Sequence, residues 1–377
     1  MPDGRRRAWK SPLNHSVDLP ISNSPLLLAM NSPVLHEFIA YLTQKKSEQE
    51  ANPDQHLTIE LSRDFIQRVR EGFKQDILDG ERRLHLLAHL LASIMLEGEF
   101  ELHSNVIGYL PGEENRQFLI RERINRETLY SVTDIDLGNH MLDNFRYQRD
   151  RSWVPLALAA NFVEYIPLHR PITGVNRLTS RVKAEEELSN KVADEIFALD
   201  ELVARDKQLR QYSKFVKDIF GIKIVCEDDV TCMAVHETLK NLMVGDINGT
   251  LANMLDEVGL PVNEDVSHPL LAFIETKDYL TCDASKMKRT GWRAIKSVVE
   301  WNDCLFEIQI QPLANYYLEL DHMAGPSHRS FKFTRDTLRD EVAKRIPLYG
   351  LYRELLTMLF KETITPFESK NVSVVIK

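Results

Sequence analysis

Hydrophobic residues recur at helical spacing through most of the first hundred positions. Ser32-Pro33 is typical of a helix start and precedes VLHEFIAYLTQKK, and Ser62 can cap the helix RDFIQRVREGFKQDIL. A third helix is predicted for RRLHLLAHLLASIML, which is apolar on most of its faces. Two strands are predicted on either side of a Pro111-Gly112 turn, at FELHSNVIGYL and RQFLIRERI, and this arrangement indicates a hairpin. The N-terminal third is therefore predicted to be α-rich with one hairpin.

Beyond residue 171 the pattern mixes strands with helices. A long charged helix is expected from about Ser180 to Arg210, followed by a strand at FGIKIVCE and a helix at TCMAVHETLKNLM. Further strands are expected near LAFIE, WRAIKSVVEW and CLFEIQIQ, and helices from Leu313 onward. This mixture is typical of an α/β or α+β catalytic domain. The chain is thus divided into a flexible terminus (1–24), an α-rich N-terminal domain (25–150), a mixed domain (165–340) and a C-terminal helical extension (341–377).

Composition narrows the class of protein. The 377 residues are 43% hydrophobic and 27% charged, as in an average globular protein, and the net charge of -9 argues against a general nucleic-acid coat. The longest uncharged stretches are too short to span a membrane, and the polar, Pro-broken start does not resemble a secretory signal. The four cysteines form no CxxC pair and are expected to be reduced. These features predict a cytoplasmic protein without a membrane partner.

Several familiar sites are absent from the sequence. Neither the phosphate-binding GxxxxGK[ST] loop nor the dinucleotide-binding GxGxxG motif occurs. His85 and His89 lie four residues apart on a predicted helix, which is a possible metal spacing. No acidic residue or third histidine is expected to partner them, so core or surface histidines are the expected interpretation.

Two segments offer cations and a carboxylate for a nucleotide. On a helix, Lys183 and Lys191 would point the same way with Arg181 on an adjacent line, which would suit a triphosphate. The alternative is a solvated face paired with the glutamates at 185–187. Asp218 stands just before a predicted strand, with Gly221 close by, and could bind Mg²⁺, or it could be an exposed turn residue.

Residues 286–296, KMKRTGWRAIK, form a basic loop in an otherwise acidic protein. Trp292 offers a flat face on which a base can stack. The loop has no acidic residue, and its cations are Lys286, Lys288, Arg289, Arg293 and Lys296. We interpret it as a phosphate-binding segment.

Two further segments follow the basic loop. Strand alternation places Glu307 and Gln309 on one face, where the carboxylate could activate a hydroxyl or share a metal with Asp218, or could line a solvent-facing edge. Asn315, Glu319 and His322 share one face of the next helix.

In this order, the motifs resemble the RelA/SpoT-type alarmone synthetase domain over about residues 171–335. The resemblance implies a nucleotidyltransferase-like mixed sheet flanked by helices. It also implies Mg²⁺-dependent transfer of the pyrophosphate of ATP to the 3′-hydroxyl of GDP or GTP, which gives guanosine tetra- or pentaphosphate. Homo-oligomerisation is left open.

The resemblance also assigns roles to the matched residues. Arg181 would stack on the donor adenine, Lys223 would stand where an arginine closes over it, and Lys183 and Lys191 would hold the phosphates. Asp218 would bind Mg²⁺, Glu307 would act as base or share the metal, and Gln309 would orient Glu307. Lys277-Asp278-Tyr279 would lead to the acceptor loop. Acceptor contacts are implied for Lys288, Trp292, Arg293, Lys296, Asn315 and His322.

Several positions depart from the family pattern. Lys223 replaces an arginine, Trp292 a tyrosine and Lys296 a histidine, while Glu187 stands where a serine is usual and Gln311-Pro312 where Arg-Thr is usual. Two alternatives therefore stay open. One is a toxin-type relative that modifies the 3′ end of tRNA or adenosine nucleotides, and the other is a nucleotide sensor with weakened catalysis.

Overall fold

The structure is a computed structural model of the 377-residue chain. It describes residues 33–97, 99–110, 113–149, 151–182, 193–194, 220–247, 267–282, 291–324, 339–340, 342–344, 346–359, 367–369 and 371–377. None of the helices within these ranges combines the length and the apolar character needed to cross a lipid bilayer.

The N-terminal helices are α1 (Pro33–Ala51) and α2 (Arg63–Met95). Ser62 caps α2, as predicted, by accepting the backbone N–H of Phe65. The two helices expected on either side of Gly80 are one continuous helix. Gly80 is needed for packing, because a Cβ there would lie 2.1 Å from the ring of Phe220 on the sheet below.

Eight of the described strands form one mixed sheet in the order β3-β2-β6-β7-β8-β11-β10-β9. Neighbouring strands are antiparallel except for the central parallel pair β8 and β11. The strands are β2 (Phe100–Leu110), β3 (Glu113–Ile124), β6 (Ala157–Pro167), β7 (Val175–Val182), β8 (Phe220–Cys226), β9 (Ala272–Asp278), β10 (Ile295–Trp301) and β11 (Cys304–Pro312). The sheet is therefore continuous across the domain boundary expected between residues 150 and 165.

Shorter elements complete the fold. A second sheet pairs β1 (Leu57–Leu61) in parallel with β13 (Val372–Ile376), which is flanked by β12 (Phe367–Ser369), and β4 (Arg146–Arg149) and β5 (Ser152–Pro155) form a hairpin. Within the described residues the remaining α-helices are α3 (Arg126–Ser131), α4 (Asp134–Asp143), α5 (Asp229–Asn241), α6 (Leu313–Ala324) and α7 (Pro347–Leu359). The parallel β1–β13 pair brings the end of the chain back to its N-terminal helices.

The two faces of the main sheet differ in character. On one face Phe220, Ile222 and Ile224 of β8 lie beside Phe306 and Ile308 of β11, all buried in the core under α2 and α5. The opposite face carries the alternate residues of the same strands, which are largely polar, and α6 lies over it. This polar face carries the candidate functional side chains.

The predicted fold class, a mixed sheet flanked by helices with an α-rich N-terminal region, is confirmed. The expected helix start at Ser180 is wrong, because residues 180–182 end strand β7. Ser180 and Val182 are buried and pair with Ile222 and Phe220, so sheet pairing prevails over the charged pattern that follows. Arg181 therefore projects from a strand and not from a helix.

Candidate functional site

Strand register aligns the polar residues into rows across the sheet. Lys296 of β10 pairs with Gln309 of β11, which pairs with Lys223 of β8. In the next row Glu307 pairs with Gly221, and Gly221 pairs with Arg181. Because adjacent strands lie about 4.8 Å apart, the backbones of Arg181 and Glu307 are separated by roughly 10 Å. Donor-side and acceptor-side candidates thus share one face, within the reach of one nucleotide triphosphate.

Glu307 is the central carboxylate of this face and is only 3% exposed. The amide of Gln309 donates a hydrogen bond to its Oε1 atom, and the ammonium of Lys296 forms an ion pair with its Oε2 atom. Oε2 makes no hydrogen bond of acceptable geometry with any described residue. Burial of a carboxylate without full hydrogen bonding is costly, so this oxygen is suited to bind a cation or to accept a proton.

Glu307 also fits the magnesium ion that the family resemblance implies. Mg²⁺ prefers carboxylate oxygen ligands, and the incompletely satisfied Oε2 atom supplies one. Asp218, the second ligand expected from the sequence, lies outside the described residues.

Glu319 of α6 organises the side chains around Trp292. Its Oε1 atom accepts the indole N–H of Trp292 at 2.6 Å, and its Oε2 atom accepts Lys223 at 2.6 Å and Gln311 at 2.9 Å. Burial opposes ionisation of this carboxyl, but the charge of Lys223 and these hydrogen bonds hold its pKa below the ordinary value. Glu319 is therefore ionised at neutral pH and fixes the position of Trp292.

Asn315 connects Arg293 to the same network. Its side-chain oxygen accepts the backbone N–H of Arg293 at 3.1 Å, and its amide donates to Gln311 at 2.8 Å. The guanidinium of Arg293 donates to the carbonyl of Leu280 at 3.1 Å and pairs with Asp229 at 2.6 Å. These contacts fix the position of Arg293, in the described part of the basic segment.

The Lys277-Asp278-Tyr279 segment borders this part of the chain. Asp278 accepts the backbone N–H of Leu280 at 2.7 Å, and so closes a tight turn. The ring of Tyr279 meets that of Trp292 edge-on, with centroids 5.6 Å apart. An aromatic corner therefore stands at the edge of the polar face, where a base could stack.

Three cations of the site are paired with carboxylates. Lys223 pairs with Glu319, Arg293 with Asp229, and Lys296 with Glu307. An incoming phosphate must therefore compete with these carboxylates for the cations.

The structure brings together Arg181, Lys223, Trp292, Arg293, Lys296, Glu307, Gln309 and Asn315 on or beside one face. Four of the predicted site residues lie outside the described residues, namely Lys183, Lys191, Asp218 and Lys288. For His322 only its backbone, in α6, is described. Sequence reasoning noted Glu319 on the α6 face but gave it no role, although it lies one helical turn after Asn315. Asp229, the partner of Arg293, carried no signal in the sequence.

A second buried glutamate lies on the same face, nearer the other edge. Glu164 of β6 is 3% exposed and accepts Tyr316 of α6 at 2.6 Å, Arg177 at 3.0 Å and Asn105 at 3.1 Å. Arg121 adds an ion pair at 3.4 Å. Burial and the carboxylate together raise the pKa of Tyr316 above its ordinary value. This carboxylate is saturated and anchors α6 to the sheet.

No protein-family model matches the chain, and no curated protein matches it. Among solved structures it is similar to small alarmone synthetase 1 from Bacillus subtilis bound to its product pppGpp, at 18% identity over 50% of this chain and 76% of that one, with a TM-score of 0.23. Small alarmone synthetase 2 from the same organism matches at 18% identity over 50% and 83% of the two chains, with a TM-score of 0.23.

A GTP pyrophosphokinase family protein from Streptococcus pneumoniae matches at 20% identity over 50% of this chain and 73% of that one, with a TM-score of 0.20. These neighbours belong to the class that the sequence motifs resemble.

Proposed function

We propose that this protein is an ATP-dependent pyrophosphokinase that acts on the 3′-hydroxyl of a guanosine nucleotide, GDP or GTP. The observation that carries the proposal is Glu307, a buried carboxylate that Gln309 orients on a polar sheet face. Its Oε2 atom is held by the ion pair with Lys296 and by no hydrogen bond among the described residues. An inert structural carboxylate on this sheet would be expected to be saturated, as Glu164 is.

In the proposed reaction the acceptor 3′-oxygen attacks the β-phosphorus of ATP. A new oxygen–phosphorus bond forms, the bond between the β-phosphorus and the α,β-bridging oxygen breaks, and AMP leaves. Glu307 takes the hydroxyl proton, which requires a carboxylate within hydrogen-bond reach of the attacking oxygen. Magnesium, held by Glu307 and Asp218, would neutralise charge on the phosphates.

Recognition of the acceptor is proposed for the edge of the face at Trp292. Its indole N–H is held by Glu319 and its ring is met by Tyr279, so the ring is presented in one orientation for a base. Arg293 and Lys296 would contact acceptor phosphates after exchanging Asp229 and Glu307 for the ligand. Arg181, with the expected donor lysines 183 and 191, would bind ATP.

The decisive experiment supplies γ-³²P-ATP and Mg²⁺ with GDP, GTP, no acceptor or deacylated tRNA, and resolves the labelled products. Label on a guanosine nucleotide is expected from the wild-type protein and from Glu300→Gln, which changes an exposed carboxylate on β10. Label on tRNA or on an adenosine nucleotide instead would overturn the proposed acceptor and favour the toxin-type activity.

The pairing of Lys223, Arg293 and Lys296 with carboxylates favours one second candidate, a nucleotide sensor with little catalysis. A sensor would bind ATP, with protection from thermal unfolding, and transfer no label to any acceptor. Isothermal titration with a non-hydrolysable ATP analogue, run beside the label assay, separates the two functions.

A further inference from the structure

A second cluster of chemically active side chains lies beneath the opposite, apolar face of the sheet. Glu81 and His85 are one helical turn apart on α2, and Asp134 is the first residue of α4. Their exposures are 5%, 1% and 2%. The sequence prediction that His85 has no acidic partner is wrong, because Asp134 reaches it from 49 residues away along the chain.

The distances from His85 to the two carboxylates match the separations of ligand atoms in one coordination sphere. His85 Nε2 lies 3.0 Å from Asp134 Oδ1 and 3.6 Å from Glu81 Oε1. Donor atoms about 2.1 Å from one metal ion, at angles of about 90–120°, lie roughly 3.0–3.6 Å apart. One ligand atom from each residue lies within 4.8 Å of both others.

The surroundings orient His85 toward a cation. Its Nδ1 atom lies 3.4 Å from the hydroxyl of Ser180, which can accept an N–H from the ring and leave Nε2 to face the two carboxylates. Without a metal, a proton on Nε2 joins the ring to Asp134 through the 3.0 Å hydrogen bond. With both carboxylates ionised and both ring nitrogens protonated, the cluster carries a net charge of −1 in the core, whereas a divalent ion in place of the Nε2 proton makes it neutral.

The carboxylates are also positioned in advance. Glu81 accepts the backbone N–H of Asp134, and Asn161 of β6 donates to the backbone carbonyl of Asp134. The buried Oδ2 atom of Asp134 makes no hydrogen bond with any described residue. An orphaned carboxylate oxygen beside a histidine and a second carboxylate is what a metal ion satisfies.

We propose that Glu81, His85 and Asp134 bind one divalent transition-metal ion of the Zn²⁺ type. The imidazole ligand favours zinc or a similar transition metal over magnesium. The ion would join α2 and α4 beneath the sheet at Ser180, whose neighbour Arg181 projects from the opposite face. This site is separate from Glu307 and does not depend on the proposed activity.

Metal binding is tested on the full chain after removal of metal with a chelator. Titration with Co²⁺ is expected to give visible absorption bands that saturate at one equivalent, and Zn²⁺ is expected to abolish them by displacement. Zinc binding is expected to release protons, seen as a dependence of the calorimetric heat on the buffer, and to raise the melting temperature. Glu307→Gln is expected to bind one Co²⁺ ion per chain as the wild-type protein does. Asp134→Asn is expected to lower the affinity for this ion at least tenfold.

Measurements on the wild-type protein test the metal site even if Asp134→Asn fails to fold. X-ray absorption at the zinc edge is expected to show a shell of nitrogen and oxygen at about 2.0–2.2 Å with imidazole scattering. Absence of a stoichiometric Co²⁺ spectrum, or a zinc shell without imidazole, would overturn the proposal. The proposal would also be overturned if Glu307→Gln no longer bound one Co²⁺ ion per chain, or if folded Asp134→Asn bound it as tightly as the wild-type protein.

Discussion

Two glutamates on the same face of one sheet, equally buried, have opposite surroundings. Glu164 is held by Tyr316, Asn105 and two arginines, while among the described residues Glu307 is held by the amide of Gln309 and the ammonium of Lys296 alone. Arginine offers planar, paired donors that satisfy a carboxylate, whereas lysine is a point charge on a flexible stem that exchanges partners more readily.

This difference separates an anchoring carboxylate from the carboxylate proposed to react. Glu164 has filled its acceptor sites with protein donors and ties α6 to the sheet through Tyr316. Glu307 keeps one oxygen without a hydrogen bond among the described residues, at a cost to stability that ligand binding would recover. A buried but incompletely satisfied group is what a catalytic role requires.

The largest expected effect comes from Glu307→Gln. The substitution keeps the shape of the side chain but removes the proposed base and the negative charge proposed to bind Mg²⁺. Label transfer is therefore expected to fall about 10²–10⁴-fold, while the affinity for ATP stays within a few fold of wild type. Single-turnover transfer and calorimetric ATP titration measure the two quantities. Turnover equal to that of wild-type protein would show that Glu307 is not the base.

Glu164→Gln is expected to act on stability instead. It leaves Arg177 and Arg121 facing an uncharged amide, and breaking a buried pair in this way costs about 3 kcal/mol. Denaturant unfolding measures the loss, and transfer is expected to persist below the melting transition. The double variant Glu164→Gln/Arg177→Met should recover part of the loss, and an unaltered loss would contradict the pairing as its cause.

Trp292→Ala tests the aromatic corner beside Glu307. Loss of base stacking costs about 1–3 kcal/mol, so the KM for the acceptor is expected to rise about 5–150-fold with little change for ATP. Trp292→Phe keeps an aromatic ring but loses the hydrogen bond to Glu319. Its KM for the acceptor is expected to lie between those of the wild-type protein and Trp292→Ala. Equal effects on donor and acceptor would place Trp292 outside the acceptor site.

Lys296→Gln tests whether the ammonium occupies the place of a metal. Removing it frees Glu307 for a cation, and the Mg²⁺ concentration for half-maximal rate is expected to fall about tenfold, or ~1.4 kcal/mol. Lys277→Gln is the matched control, since that lysine is its neighbour on β9 but pairs with Glu275 at 2.8 Å. If the Mg²⁺ concentration for half-maximal rate fell no further in Lys296→Gln than in Lys277→Gln, competition between Lys296 and Mg²⁺ for Glu307 would be contradicted.

The strands that carry the site were predictable because period-two patterning and turn residues are local signals. EIQIQ could be placed on a strand with Glu307 and Gln309 on one face, and both positions agree with the structure. The contrast between Glu307 and Glu164 could not be foreseen, because the partners of Glu164 come from four separate elements. The His85–Asp134 contact was missed for the same reason, as its residues lie far apart in sequence.

Asp76 of α2 shows the effect of incomplete satisfaction away from any proposed site, and gives the smallest expected change. Burial, with a minor contribution from Asp79, raises its pKa from 3.8 to about 6, against the smaller opposing effects of His36 and Arg83. A raised folded-state pKa favours folding below pH 3.8, and that contribution is lost as pH rises through about 6.

Asp76→Asn is therefore expected to stabilise the protein at pH 7 and to have little effect near pH 4. Since Asp76 is partly exposed, the gain is discounted for solvent screening to about 1 kcal/mol. Denaturant unfolding at both pH values measures it, with exposed Asp64→Asn as control. An equal gain at both pH values would mean that removing a charge is not its cause. The expected pattern would show that this fold tolerates an unsatisfied carboxylate at a modest cost, as Glu307 requires.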